Sequence, residues 1–143
     1  MLRVLRRGLK PLHLVFSALL MFTVSLTIHE YSHFAALILL GGRGYIEFNY
    51  CVITQPPPSE ALTHIVCFMG GIGSGLFFLL MRLIEEDPED KVIETTVAVT
   101  QIIYGVGEGL NSIYGVPLTV GAVASIIGAS LYIAHALRNT LGR

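Results

Sequence analysis

The chain has 143 residues, 53% of them hydrophobic and 13% charged, with a mean hydropathy of +0.70. No stretch reads as a soluble domain, so residues 1–143 are expected to form one membrane-embedded domain. A formal net charge of −1 gives no electrostatic footing for nucleic acid. Two cysteines make no disulfide framework or Cys-based metal site, because Cys51 falls in a loop and Cys67 inside an apolar run.

The first segment opens with Arg3, Arg6, Arg7 and Lys10, then runs apolar from about Leu12 to Leu40 and stops at Gly41-Gly42. Its start resembles a signal peptide. The apolar stretch is too long for one and lacks a small-residue cleavage site, so it is expected to stay as a membrane span. Within it stands His29-Glu30-Tyr31-Ser32-His33, an HExxH pentapeptide. On a helix, positions i and i+4 share a face, so both imidazoles can reach one metal ion. Glu30, about 100° round the helix, stands beside that ion, where a carboxylate can hold a water for attack. Each ionisable group deep in lipid costs roughly 2.5 kcal/mol or more unless neutralised. Three of them within five residues call for a partner, and a zinc ion meets that need better than a chance pentapeptide.

Next comes Gly44–Thr54, rich in aromatic and β-branched residues and closed by Gln55 and Pro56-Pro57-Pro58. Its alternation predicts a strand or short hairpin, with an irregular loop equally open. As a strand it offers an edge, at Ile46, Phe48, Asn49, Tyr50 and Val52, to which an extended peptide can add through main-chain hydrogen bonds.

Three more apolar segments follow: about Glu60–Ile84, about Val92–Tyr114 and about Pro117–Leu137. The acidic run Glu85-Glu86-Asp87-Pro88-Glu89-Asp90 separates the first two of these. In the earlier one, Gly70, Gly71, Gly73 and Gly75 let helices approach closely, and packing is a sufficient account of them. The expected architecture is an all-α polytopic membrane protein of about four transmembrane helices, with the β-prone loop after the first. With four spans, eight of the nine Lys and Arg residues, all but Arg43, fall on one side. That bias predicts cytoplasmic termini, and the expected location is the cell membrane.

A catalytic zinc usually has three protein ligands and one open position. Of the ten acidic residues, Glu47 and Glu60 lie at the first loop and a helix start, and five crowd the acidic run. Glu94, one turn into the third span near Lys91, can reach the interface, which leaves Glu30 and Glu108 deep in apolar sequence. Glu108 is therefore the candidate third ligand. Counted from Leu12, His29 lies about 25 Å deep, and counted from Val92, Glu108 lies about 24 Å deep, at 1.5 Å per residue. A neutral core acid is the alternative for Glu108. The glycines at 105, 107 and 109 are poor helix interior, tolerated where backbone lines a cavity or is buried in protein.

His64, entering the second span from the far side, is a candidate oxyanion stabiliser or fourth ligand, or else a satisfied core histidine. Asn111 is a candidate substrate-orienting donor, or else an interhelical hydrogen-bonding residue. His13 and His135 read as interfacial.

Taken together, the residues resemble the site-2 protease family of intramembrane zinc metalloproteases. His29, Glu30 and His33 match its metal-and-base motif. The β-prone segment follows, then Phe68-Met69-Gly70-Gly71-Ile72-Gly73-Ser74, similar to the family's glycine-centred helix motif, and Glu108-Gly109 stands where the family usually has Asp-Gly. The likeness covers about residues 12–115. It implies a zinc-dependent intramembrane endopeptidase acting on a membrane protein or peptide, with Glu30 as catalytic base and His29, His33 and Glu108 on the metal. The competing expectations are a metal-binding membrane homologue that does not cut and, further off, a metal-ion transporter. A transporter's polar residues should continue across the bilayer, whereas these spans are apolar in their inner halves.

Overall fold

The computed structural model describes residues 2–48 and 50–141, with side chains at 15–48, 50–136 and 138. Asn49, Arg143 and the side chain of His13 lie outside the described residues. Four helices and one hairpin follow in the order α1 (Leu2–Leu39), β1 (Arg43–Glu47), β2 (Tyr50–Gln55), α2 (Glu60–Ile84), α3 (Pro88–Tyr114) and α4 (Leu118–Leu141). The predicted helical protein with a β-prone insertion after its first helix is the observed one.

Local chemistry sets the boundaries. Gly41, at φ +84°, takes the left-handed position that ends α1. The N–H of Gly41 returns to Ile38 O at 3.1 Å and that of Gly42 to Leu37 O at 2.9 Å, the paired bonds of a Schellman stop. Ser59 caps α2 by accepting from Leu62 N, and Asp87 caps α3 just ahead of Pro88. Gly115, at φ +68°, closes α3.

The hairpin is antiparallel, with Glu47 opposite Tyr50, Ile46 opposite Cys51 and Tyr45 opposite Val52. A two-residue loop joins the strands, with Phe48 at φ 57°. Cys51, partly buried, packs with Leu40 and Met69 onto Ala36, Leu37 and Val66, which pins the hairpin over the ends of α1 and α2. A second cluster, Phe78, Val97 and Ala98, ties the opposite halves of α2 and α3 to Met21 and Ile28 of α1.

Three helices are long and apolar enough to cross a membrane: Val15–Leu39, Glu60–Ile84 and Leu118–Ala136. The expected fourth, α3, falls short of that apolarity. Its position supplies the reason: among the described residues α3 is the one helix packed against all three others. Glu94, Thr95 and Gln101 of α3 are thus buried within the protein, which lets this helix be less apolar. The backbones of α2 and α3 touch at Gly71 and Gly105, and those of α3 and α4 at Gly107 and Gly121, the close approach small residues permit. Glu94 is buried within the protein, at 3% exposure. By contrast α1 and α4 show large apolar side chains outward, among them Phe16, Leu19, Ile126 and Leu131.

Candidate metal centre

Each of three helices delivers one component from six residues inside the same end of the bundle. His33 precedes the end of α1 by six, Glu108 precedes the end of α3 by six, and Val66 follows the start of α2 by six. At 1.5 Å per residue the centre lies about 9 Å below the hairpin-bearing end.

The helical repeat places Ser25, His29 and His33 on one face of α1. His29 Nε2 lies 3.0 Å from Glu108 Oε2, His33 Nε2 lies 3.6 Å from the same oxygen, and the two Nε2 atoms are 3.1 Å apart. His29 is buried, His33 and Glu108 half-buried. The outer nitrogens are both spoken for. His33 Nδ1–H donates to Val66 O at 2.7 Å, and His29 Nδ1–H donates to Gln101 Oε1 at 2.9 Å. With those protons on Nδ1, each Nε2 presents a lone pair to the same point as the Glu108 carboxylate. Glu108 Oε2 is buried without a hydrogen-bond partner. Three converging lone pairs repel one another unless a cation sits among them.

The spacing suits zinc. Tetrahedral N and O ligands at about 2.0–2.1 Å from a zinc ion stand roughly 3.3 Å from one another, and the three observed separations bracket that figure. The donor set of two imidazoles and one carboxylate is also a catalytic-zinc type that keeps a fourth position open. Within the described residues these three make the one such cluster.

Glu30, next to His29, faces two cavities at once. One, of about 280 Å³, is lined by Glu30, His33, Glu108, Asn111 and Ser112 together with Cys51 and Ile53 of the hairpin. The other, of about 360 Å³, reaches His29, Glu30 and Glu108 from between α1 and α4, past Leu26, Tyr104 and Ile126. Among the described residues no backbone contact joins α1 and α4, and this second cavity lies between them. Glu30 Oε2 accepts the Cys51 backbone N–H at 2.8 Å. The Cys51 thiol is pushed up by burial and then by the Glu30 carboxylate.

The other sequence candidates divide. His64 Nδ1 pairs with Ser112 Oγ at 2.6 Å, so His64 stands behind the cavity lining and is not among the converging ligands. Asn111 lines the smaller cavity, but its amide donates to Val116 O at 2.7 Å and so serves the α3–α4 turn. In the hairpin, Cys51 N–H points out to Glu30. The Ile46–Cys51 pair is therefore non-hydrogen-bonded, and the flanking pairs carry the ladder. By that alternation the outward main chain of β2 belongs to Cys51 and Ile53, while Tyr50 and Val52 face β1. Ile46 points outward on the opposite edge, and Phe48 is fully exposed in the turn.

Sequence reasoning missed Gln101, which bridges His29 to Ser25 Oγ at 2.9 Å, with Ser74 closing the network on Ser25 O at 3.1 Å. The signal was present. Glu94, Gln101 and Glu108 recur every seven residues, two helical turns, and so share one face of α3. Gly70 was also underread: a Cβ there would overlap the His33 imidazole, so this glycine makes room for a ligand as well as for a helix.

Comparison with protein-family models, with curated proteins and with solved structures finds no match to this chain.

Proposed function

We propose that the protein is a zinc-dependent endopeptidase that hydrolyses a peptide bond in or beside the bilayer. The observation that carries this reading is the convergence of His29 Nε2, His33 Nε2 and Glu108 Oε2 within 4.8 Å of one another, with Glu30 at the mouth of the same cavity. His29, His33 and Glu108 would hold the ion. When bound, zinc polarises the scissile carbonyl and lowers the pKa of its water toward ~7.

The chain's own residues do the rest. Gln101 and Val66 O hold the two imidazoles in one tautomer and one orientation. The Cys51 N–H fixes Glu30 Oε2 and leaves Oε1 to take the proton of the attacking water. The water oxygen bonds to the carbonyl carbon, the C–N bond breaks, and Glu30 passes its proton to the departing amine. Three helices apolar enough to span and a cleft that opens laterally between α1 and α4 support a membrane-borne substrate. The outward edge of β2, at Cys51 and Ile53 in the cavity wall, supports binding of that substrate as an extended strand.

A metal-binding homologue that does not cut is the second reading. It draws on the hydrogen bond from Cys51 N–H, which occupies Glu30 Oε2. Glu30→Gln separates the two. Gln keeps the size and the acceptor for Cys51 but cannot take a proton. Purified protein should cleave a generic transmembrane substrate in a chelator-sensitive way, and Glu30→Gln should keep zinc and lose turnover. Zinc-loaded wild type that cleaves nothing supports the non-cutting homologue, and full turnover by Glu30→Gln removes it as the base.

A further inference from the structure

Hydroxyls along these helices mostly bond back to their own chain. Thr23, Ser32, Thr95, Thr96, Thr100 and Ser130 each donate to the carbonyl four residues earlier. Ser112 departs from that habit. Its hydrogen bond runs across to α2, where Oγ meets His64 Nδ1 at 2.6 Å. It also lines the cavity of about 280 Å³ that holds Glu30, His33 and Glu108. Ser112 follows Glu108 by one i,i+4 step, about 6 Å along the same helix face. Behind it, His64 Nε2 faces Glu60 Oε1 at 3.8 Å.

We infer that Ser112 is a further catalytic residue, whose hydroxyl donates to the scissile carbonyl oxygen of a peptide in this cavity, with His64 as its positioning residue. In the tautomer that carries its proton on Nδ1, His64 donates to Ser112 Oγ, which fills one lone pair of that oxygen and leaves the hydroxyl proton for the cavity. Negative charge builds on the carbonyl oxygen as water attacks, and a fixed donor in a site shielded from bulk water stabilises that charge more than the ground-state carbonyl. The sequence candidates for this task were His64 and Asn111. His64 reaches the cavity only through Ser112, and Asn111 gives one of its amide N–H groups to Val116 O. Ser112 is the hydroxyl left facing the cavity.

The inference rests on the peptidase reading, and two measurements keep the two apart. The first is turnover of a peptide substrate. Removing one donor of this kind costs about 100-fold in kcat, so Ser112→Ala should lose about that much with KM and zinc content unchanged. Ser112→Thr, which restores the hydroxyl, should recover most of it. His64→Leu should fall between wild type and Ser112→Ala, and His64→Asn, whose amide N–H stands where Nδ1–H was, should partly recover. The second needs no turnover: binding of a phosphonamidate peptide, a tetrahedral anion, and of the matching uncut peptide to zinc-loaded Glu30→Gln. Adding Ser112→Ala should weaken the anion about 100-fold and leave the uncut peptide unchanged. Active protein in which Ser112→Ala matches wild type in kcat and in anion affinity overturns the role of Ser112 alone. Zinc-loaded wild type that cleaves no peptide overturns the peptidase reading and the Ser112 role with it.

Discussion

At the scale of single residues, the ligand set makes two predictions about metal affinity. Glu108→Gln is nearly isosteric but replaces a carboxylate with a neutral amide oxygen, a weaker donor to zinc. Glu108→Asp keeps the charge and withdraws the oxygen by about one bond length. Zinc affinity should fall in the order wild type, Glu108→Asp, Glu108→Gln, read by competition with a chelator. Equal affinity in wild type and Glu108→Gln returns Glu108 to a structural acid. Gln101 makes no contact with the ligand set except through His29, yet loss of such an outer partner typically costs 10- to 100-fold in metal affinity. Gln101→Leu should show that loss, and Gln101→Glu, which keeps an acceptor for His29 Nδ1–H, should restore most of it. The same titrations decide both.

At the scale of elements, α2 and the hairpin hold the site by fit. Glycine inside a helix is about 1 kcal/mol poorer than alanine, so Gly70→Ala should help α2 as a helix. Its Cβ, however, would overlap the His33 ring, and overpacking of that kind costs typically about 1–3 kcal/mol. Zinc affinity should therefore drop roughly tenfold or more while helix content by circular dichroism is unchanged. Wild-type affinity in Gly70→Ala would mean that the ring shifts at no cost. In the hairpin, Ile53 points its main chain outward and Val52 points inward to β1. Proline is tolerated where a strand's N–H leaves the ladder. Ile53→Pro should thus raise KM with zinc retained, and Val52→Pro should disrupt the hairpin itself. Unchanged KM in Ile53→Pro removes the outer edge of β2 from substrate binding.

At the scale of the whole molecule, the question is which segments cross. α3 lacks the apolarity of the other three, but its polar residues Glu94, Thr95 and Gln101 are buried against its neighbours. With Cys51 and Cys67 replaced by Ala, single cysteines at Phe48 in the hairpin turn, Glu86 just after α2 and Tyr114 at the end of α3, all exposed, report sidedness to a membrane-impermeant thiol reagent. Phe48→Cys and Tyr114→Cys should label from one side and Glu86→Cys from the other. Tyr114 labelling with Glu86 would mean that α3 does not cross.

The sequence by itself determined the helical class, the β-prone insertion and the histidine pair, because each is written in local spacing: apolar runs of helix length, alternation, and i,i+4. It also singled out Glu108, since so few carboxylates stand deep in apolar sequence that elimination works. It did not reveal the inside of α3. Depth along a chain says how far a residue is from a helix end and nothing about which face it occupies, so the burial of Glu94 and the role of Gln101 went unnoticed. Only the packing of α1, α2 and α4 around α3 turned the stripe Glu94, Gln101, Glu108 inward. That packing joined Gln101 to His29, Ser112 to His64 and Cys51 N–H to Glu30, partners lying 72, 48 and 21 residues apart. Contacts at such separations have no local spacing to announce them, and they exist only once glycines 70, 71, 105 and 107 let the helices close.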